Sequence, residues 1–372
     1  MVARPLYLCC MLVAPAVCCL FFTTLMGEGL PKDMPVGVVD EDNTATTREI
    51  LRNMDAFSQV RLTERYASVS EARRAMQEGK IYAFYYIPEG TTDEVMANRQ
   101  PVVSFYTNNS LLIAGSLIYR DLRTMSVLAN ASVGLKTLQA KGVDEHRAMA
   151  FLQPVVVDTH ALSNPWLNYS LYLNNTILPG ILMILIFMMT VFAIGIEIKD
   201  GTGKAWLAMA DNSMWKALVG KLLPHAAVFF LTVVAHYTYL YGVLHFPCHC
   251  GIGPLLLQAA MTVLASQGLG VFFIAVIPTL RLALSACSLW GVVSFSISGF
   301  SFPVMAMHPA LQMLSNLFPL RHYFLIYVGQ TLDGNPLSYV WKSYMALLLF
   351  TLLPWLVLGR LRKVMLNFDY IP

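Results

Sequence analysis

The sequence predicts an α-helical membrane protein: six transmembrane helices, an α/β extracytoplasmic domain inserted after the first, and a re-entrant hairpin before the last. Three observations predict it. Charged residues make up only 13% of the 372 positions and mean hydropathy is +0.57, too apolar for an ordinary soluble chain. The charges are also segregated, with 14 of 25 Lys+Arg and 17 of 22 Asp+Glu falling in residues 27–172. Finally, several apolar runs reach the roughly 20 residues that a helix needs to cross a bilayer.

In chain order the apolar runs are 6–26, 175–197, 222–245, 254–280 and 282–300, followed by 339–359, in which Lys342 lies near enough to the end to snorkel. This gives three parts: a first transmembrane helix within 1–26, a polar domain over 27–172, and a five-helix membrane domain over 173–372. An uncleaved anchor suits the first run, because its small-residue "APA" at 14–16 falls inside the apolar stretch rather than after it. Basic residues gather beside alternate ends. Arg4 precedes the first run, Lys199, Lys204, Lys216 and Lys221 follow the second, Arg281 follows the fourth, and Arg360, Arg362 and Lys363 follow the last. Since basic flanks are retained inside, both termini and the 198–221 loop are expected on the cytoplasmic side, with the polar domain outside.

Within the polar domain, "MPVGVVDED", "QVRLTERYA", "KIYAFYYIP" and "PVVSFYTNN" read as strands. "TATTREILRNMD", "SVSEARRAMQEG" and "TTDEVMANR" between them read as short helices, each opened by Ser or Thr. Residues 110–152 read as one or two longer helices. The domain shows no nucleophile elbow; its Asp and Glu suit solvated faces, and His146 and His160 suit surface or packing positions. Nor does the chain combine a basic cluster with interleaved aromatics, so a nucleic-acid partner is not expected. His245, Cys248, His249 and Cys250 sit close together, but Cys-x-Cys is not the usual zinc spacing, and no metal or other cofactor is expected.

"KDGTGKAW" at 199–206 invites a nucleotide reading. A Walker A loop needs a glycine five positions before its Gly-Lys and a Ser or Thr after it; here those positions hold Ile198 and Ala205. The segment instead reads as an interfacial element or a plain amphipathic connector. Glu197 closes the second run, Gly201-Thr202 supplies a turn and helix cap, and "GKAWLAMA" forms a short helix. Asp211-Asn212-Ser213 breaks it and caps "MWKALVGKLLP", with Trp206, Leu207, Met209, Trp215, Leu218 and Leu222 interspersed among lysines. Further on, "HPALQMLSNLF" and "LRHYFLIYVG" are each about half a span in length, so 301–338 is expected to form a re-entrant or interfacial hairpin on the outer side.

Glu-x-x-x-Gly-Thr after a second span, a short amphipathic helix, and "GKLLP" opening the next span resemble the ABC-2 family of ABC transporter permeases. "SNPWLNY", "LPG" at 178–180, "SGFSFP" at 298–303 and "FPLRHYFLIYVG" at 318–329 extend the resemblance over nearly the whole chain. It is weakest over 27–160. The family's longer charged N-terminal segment is not seen, and its charged run before Gly201 is reduced to Glu197, Lys199 and Asp200.

The resemblance implies a permease that moves an amphiphilic or drug-like substrate out of the cytoplasm or inner membrane, and that is not itself an enzyme. ATP and magnesium would sit on a separate ABC ATPase subunit, which the 198–221 loop would contact through Glu197, Gly201, Thr202, Trp206 and Leu207. It further implies a bacterial inner-membrane location, contact with membrane lipid, a second permease copy or sister permease, and room for a periplasmic adaptor protein. His236 and Gln267, polar groups within spans, join Phe302, Pro303 and Arg321 of the outer hairpin as candidate pathway or gate residues. Two rivals stay open: a membrane-anchored receptor or scaffold working through its outer domain, and a secondary transporter, although neither repeated halves nor mid-membrane charges are evident.

Overall fold

The computed structural model describes residues 5–97, 99–156, 160, 163–165 and 167–367; Arg4, Trp166 and the 157–159 part of the return segment lie outside the described residues. The chain forms two compact units, Glu28–His160 and a second made of Met1–Gly27 with Ala161–Pro372.

In the Glu28–His160 unit, strands β1 (Met34–Asp40), β2 (Val60–Arg65), β3 (Ala83–Ile87) and β4 (Ser104–Thr107) form one sheet in the order β2-β1-β3-β4. The first three are parallel and β4 is antiparallel. Alternation along β1 and β3 sends Val36, Val38, Tyr85 and Ile87 to one face and Val39 and Phe84 to the other. Helices α2 (Ala45–Asp55) and α5 (Leu112–Ala140) cover the first face, while α3 (Val69–Gln77) covers the second. Helix α2 starts at a capping box built by Thr44 and Thr47. Short helices α4 (Thr91–Met96) and α6 (Glu145–Leu152) complete the unit.

The other unit holds six helices long and apolar enough to span a membrane: α1 (Pro5–Leu25), α7 (Tyr169–Lys199), α9 (Met214–Val243), α10 (Ile252–Val276), α11 (Leu280–Ile297) and α14 (Leu337–Asn367). Helix α7 begins six residues before the apolar run at 175, so residues 161–172 belong with the spans and not, as the polar composition suggests, with the inserted domain. The physical reason lies in how its first turns satisfy their polar groups. Asn168 caps the helix by accepting from the Leu171 amide, and Asn175 donates back to the Leu171 carbonyl at 2.8 Å, so buried asparagines persist without leaving the helix.

Helices α7 and α10 are the most buried spans. Ser266 and Gly270 lie on a close-packed face, and a Cβ at Gly270 would stand 2.9 Å from Thr190 of α7. Gly268 meets the last span, where a Cβ would lie 2.2 Å from the Phe350 carbonyl oxygen.

Contacts sort the connections to opposite ends of this unit. At one end Arg360 donates to the Val276 carbonyl at 2.9 Å and Leu280 packs on Gly195. At the other, the His249 amide donates to the Thr331 carbonyl at 2.9 Å and the Tyr172 hydroxyl to the Phe300 carbonyl. The 301–338 segment carries α12 (Pro309–Ser315) and α13 (Pro319–Ile326), the latter continuing as a π-helical turn over Tyr327–Leu332. Its second arm therefore runs past Gly329, which lies close against Val340 of α14. The turn between the arms reaches into the bundle: Phe318 stacks on Trp290, midway along α11, with ring centroids 4.5 Å apart.

Candidate functional site

The loop between α7 and α9 is built by three local devices. First, α7 ends in a Schellman arrangement: the Thr202 amide donates to the Glu197 carbonyl at 3.0 Å and the Gly201 amide to the Ile198 carbonyl at 3.3 Å, with Gly201 left-handed at φ +68°. A side chain there would be strained, which is why the turn uses glycine. Second, helix α8 (Gly203–Ala208) follows directly. Thr202 precedes it but does not cap it as the sequence suggests, because its hydroxyl donates to the Glu197 carboxylate instead. Third, Asp211 and Asn212 both adopt left-handed φ, and the Asn212 amide returns to the Leu207 carbonyl at 2.9 Å. Ser213 makes no side-chain cap to α9, contrary to expectation.

Glu197 is the hub. While Oε2 takes the Thr202 hydroxyl, Oε1 takes the ammonium of Lys221, from the second turn of α9. The pair is only 17% and 22% exposed, which shields it from the screening that weakens surface pairs. Lys221 also lies 4.7 Å from the centroid of the Trp206 ring, a cation–π contact that holds α8 against α9. Gly203 seats the same helix on α14, where a Cβ would come within 2.8 Å of the Met365 carbonyl oxygen. Hence α8 is fastened to the ends of three spans.

Trp206 and Leu207 turn inward, with exposures of 8% and 1%, so the contact surface that the sequence assigned to them falls elsewhere. The residues α8 and its exit leave exposed are Lys204, Ala205, Ala208 and Met209. Sequence reasoning missed Lys221 as a partner of Glu197, since 24 residues separate them.

The candidate pathway residues do not form one site. His236 borders a groove between α1 and α9, beside Pro15 and Thr232, and its Nε2 has no hydrogen-bond partner among the described residues. Gln267 lies in a different depression with Trp215 and Thr351, and donates to the Leu222 carbonyl at 3.2 Å. Phe302 and Pro303 are exposed after α11. Arg321, on α13, donates to the Asn316 side chain at 3.4 Å, and its guanidinium reaches the Gly299 turn. What the structure does gather is a buried polar cluster of which only the α9 and α10 members were singled out in the sequence. Tyr241 donates to Asn175 at 2.6 Å, Tyr237 lies 3.5 Å from the Tyr323 hydroxyl, and Gln258 lies 3.5 Å from the Tyr323 carbonyl. These bonds join α7, α9, α10 and α13. Cys248 and Cys250 have sulfurs 3.7 Å apart, and no group of three or more metal-ligating side chains occurs among the described residues.

A family model described as ABC-2 family transporter protein matches residues 5–360. No curated protein matches the chain.

Proposed function

Because the chain belongs to the ABC-2 family of transporter proteins, we propose that it is the permease of an ATP-driven exporter whose ATPase is a separate subunit seated on the 198–221 loop. The observation that carries this reading is the triple attachment of α8: to α7 through Glu197, to α9 through Lys221 and to α14 through Gly203 against Met365. A push on α8 is thereby passed to three spans together, which is what a coupling element must do. The exposed Lys204, Ala205, Ala208 and Met209 form the contact face.

On this reading the basic end of the bundle faces the cytoplasm of a bacterial inner membrane, both termini lie inside, and the 301–338 hairpin caps the outer end as the gate. A second permease, identical or a sister chain, completes the pathway, and a periplasmic adaptor would meet the outer domain. ATP and magnesium stay on the ATPase, and this chain hydrolyses nothing. The substrate is amphiphilic or drug-like. In support, no Asp, Glu, Lys or Arg is fully buried among the described residues of the spans, whose buried polar groups are neutral amides, hydroxyls and imidazoles. Mild-detergent purification from native membranes should recover an ABC ATPase in stoichiometric amount. Intact chain recovered without one would reject the reading.

A further inference from the structure

A cavity of about 690 Å³ opens between α2, α4 and the C-terminal half of α5, within the range of small-molecule sites. Two hydrogen bonds set its axis. Arg120 Nη2 donates to Gln59 at 3.3 Å near one end of the α2–α5 pair, and Lys136 Nζ donates to Glu49 at 3.3 Å near the other, so the helices run antiparallel. The lining then changes character along its length. At the Gln59 end lie Phe57, Ile50, Met125 and Leu128; at the Glu49 end lie Lys136 and Lys141.

The hydroxyls between these ends are already engaged. Thr47 donates to Asp40 at 3.0 Å, Ser132 to the Ala129 carbonyl at 2.9 Å and Thr137 to the Val133 carbonyl at 2.8 Å. They therefore add little polarity to the wall. From Met125 to Lys141 the helix rises about 24 Å, more than the roughly 15 Å half-thickness of a bilayer's hydrocarbon.

We propose that this cavity binds a single-chain amphiphile with an anionic head, the chain lying along Met125, Leu128 and Val133 and the head at Lys136 and Lys141. An apolar floor ending in two ammoniums, with Glu49 as the one carboxylate of the lining, matches that chemistry at both ends. The site is separate from the transport reading and stands or falls without it.

The test is photo-cross-linking of the full-length chain in lipid nanodiscs with diazirine-bearing palmitic acid, compared with the matching palmityl alcohol and mapped by peptide mass spectrometry. Adducts are expected within 46–57 and 125–141, displaced by excess unlabelled palmitic acid. Leu128 is 57% exposed, so Leu128→Trp fills the cavity without disturbing the core; it should reduce these adducts more than tenfold and leave adducts on the spans unchanged. Joint Lys136→Glu and Lys141→Glu should weaken capture of the acid about tenfold and spare the alcohol. Adducts here that resist displacement or survive Leu128→Trp, or equal losses of acid and alcohol in the charge variant, would overturn the proposal.

Discussion

Glu197 accepts a hydrogen bond from Lys221, 24 residues on, and the pair ties the end of one span to the start of the next. With both partners mostly buried, reversing either charge leaves two like charges in contact. Glu197→Lys or Lys221→Glu alone should lower ATP-driven transport in proteoliposomes at least tenfold. The double reversal should recover part of the loss. A double variant no better than the worse single one would show that the pairing is not the link.

The two glycines of the loop should behave differently. Gly201 needs its left-handed φ of +68°, but no heavy atom lies within 4 Å of where a Cβ would stand, so Gly201→Ala costs about 1–2 kcal/mol and Gly201→Asn less. At Gly203 a Cβ meets the Met365 backbone at 2.8 Å, and α8 has to lift from α14. Transport assays should rank Gly203→Ala well below Gly201→Asn, and equal activities would contradict the seating.

Asp121, on α5, is buried with Arg120 beside it, and burial pushes its carboxyl above the usual carboxylate range despite that partner. A raised folded value means the protonated form is favoured on folding, so stability is full below the ordinary carboxyl range and declines as pH rises through the folded value. Asp121→Asn should therefore stabilise the Glu28–His160 unit of the full chain at pH 7 by about 1 kcal/mol. The gain should shrink towards pH 4 in thermal melts, and a gain independent of pH would contradict this assignment.

Sidedness can be read with single cysteines in a background lacking the native seven. Met305, 94% exposed, and the exposed Asp333 belong to the hairpin, while Lys204 belongs to the α8 loop. Met305→Cys and Asp333→Cys should react with an impermeant thiol reagent added outside spheroplasts, and Lys204→Cys only after the membrane is opened. The reverse pattern would invert the topology.

The six spans were legible because apolar runs of that length have few other uses. Their ends were less so. Ser170, Asn174 and Asn175 read as loop residues, yet they are buried in α7 because side-chain bonds to the preceding turn satisfy them. In the loop, the sequence marked Glu197, Gly201 and Thr202 but could not say which way an amphipathic helix turns. Trp206 and Leu207 suit an external partner or the chain's own bundle equally well, and only tertiary packing decides. Likewise, polar residues within spans could be singled out, but not that His236 and Gln267 face different depressions while Tyr237 and Tyr241 join Asn175 and Tyr323.

The central claim is that the outward face of α8 is where an ATPase sits, and Met209 offers the most direct access to it. Met209 is 81% exposed and lies just beyond α8, whereas Leu207 is 1% exposed and packs inward. A photo-reactive benzoylphenylalanine placed at Met209 in the full chain, irradiated in native membranes and analysed by mass spectrometry, should capture an ABC ATPase; the same group at Leu207 should not. Cross-links at Met209 only to lipid or to the chain itself, with no ATPase, would contradict the account.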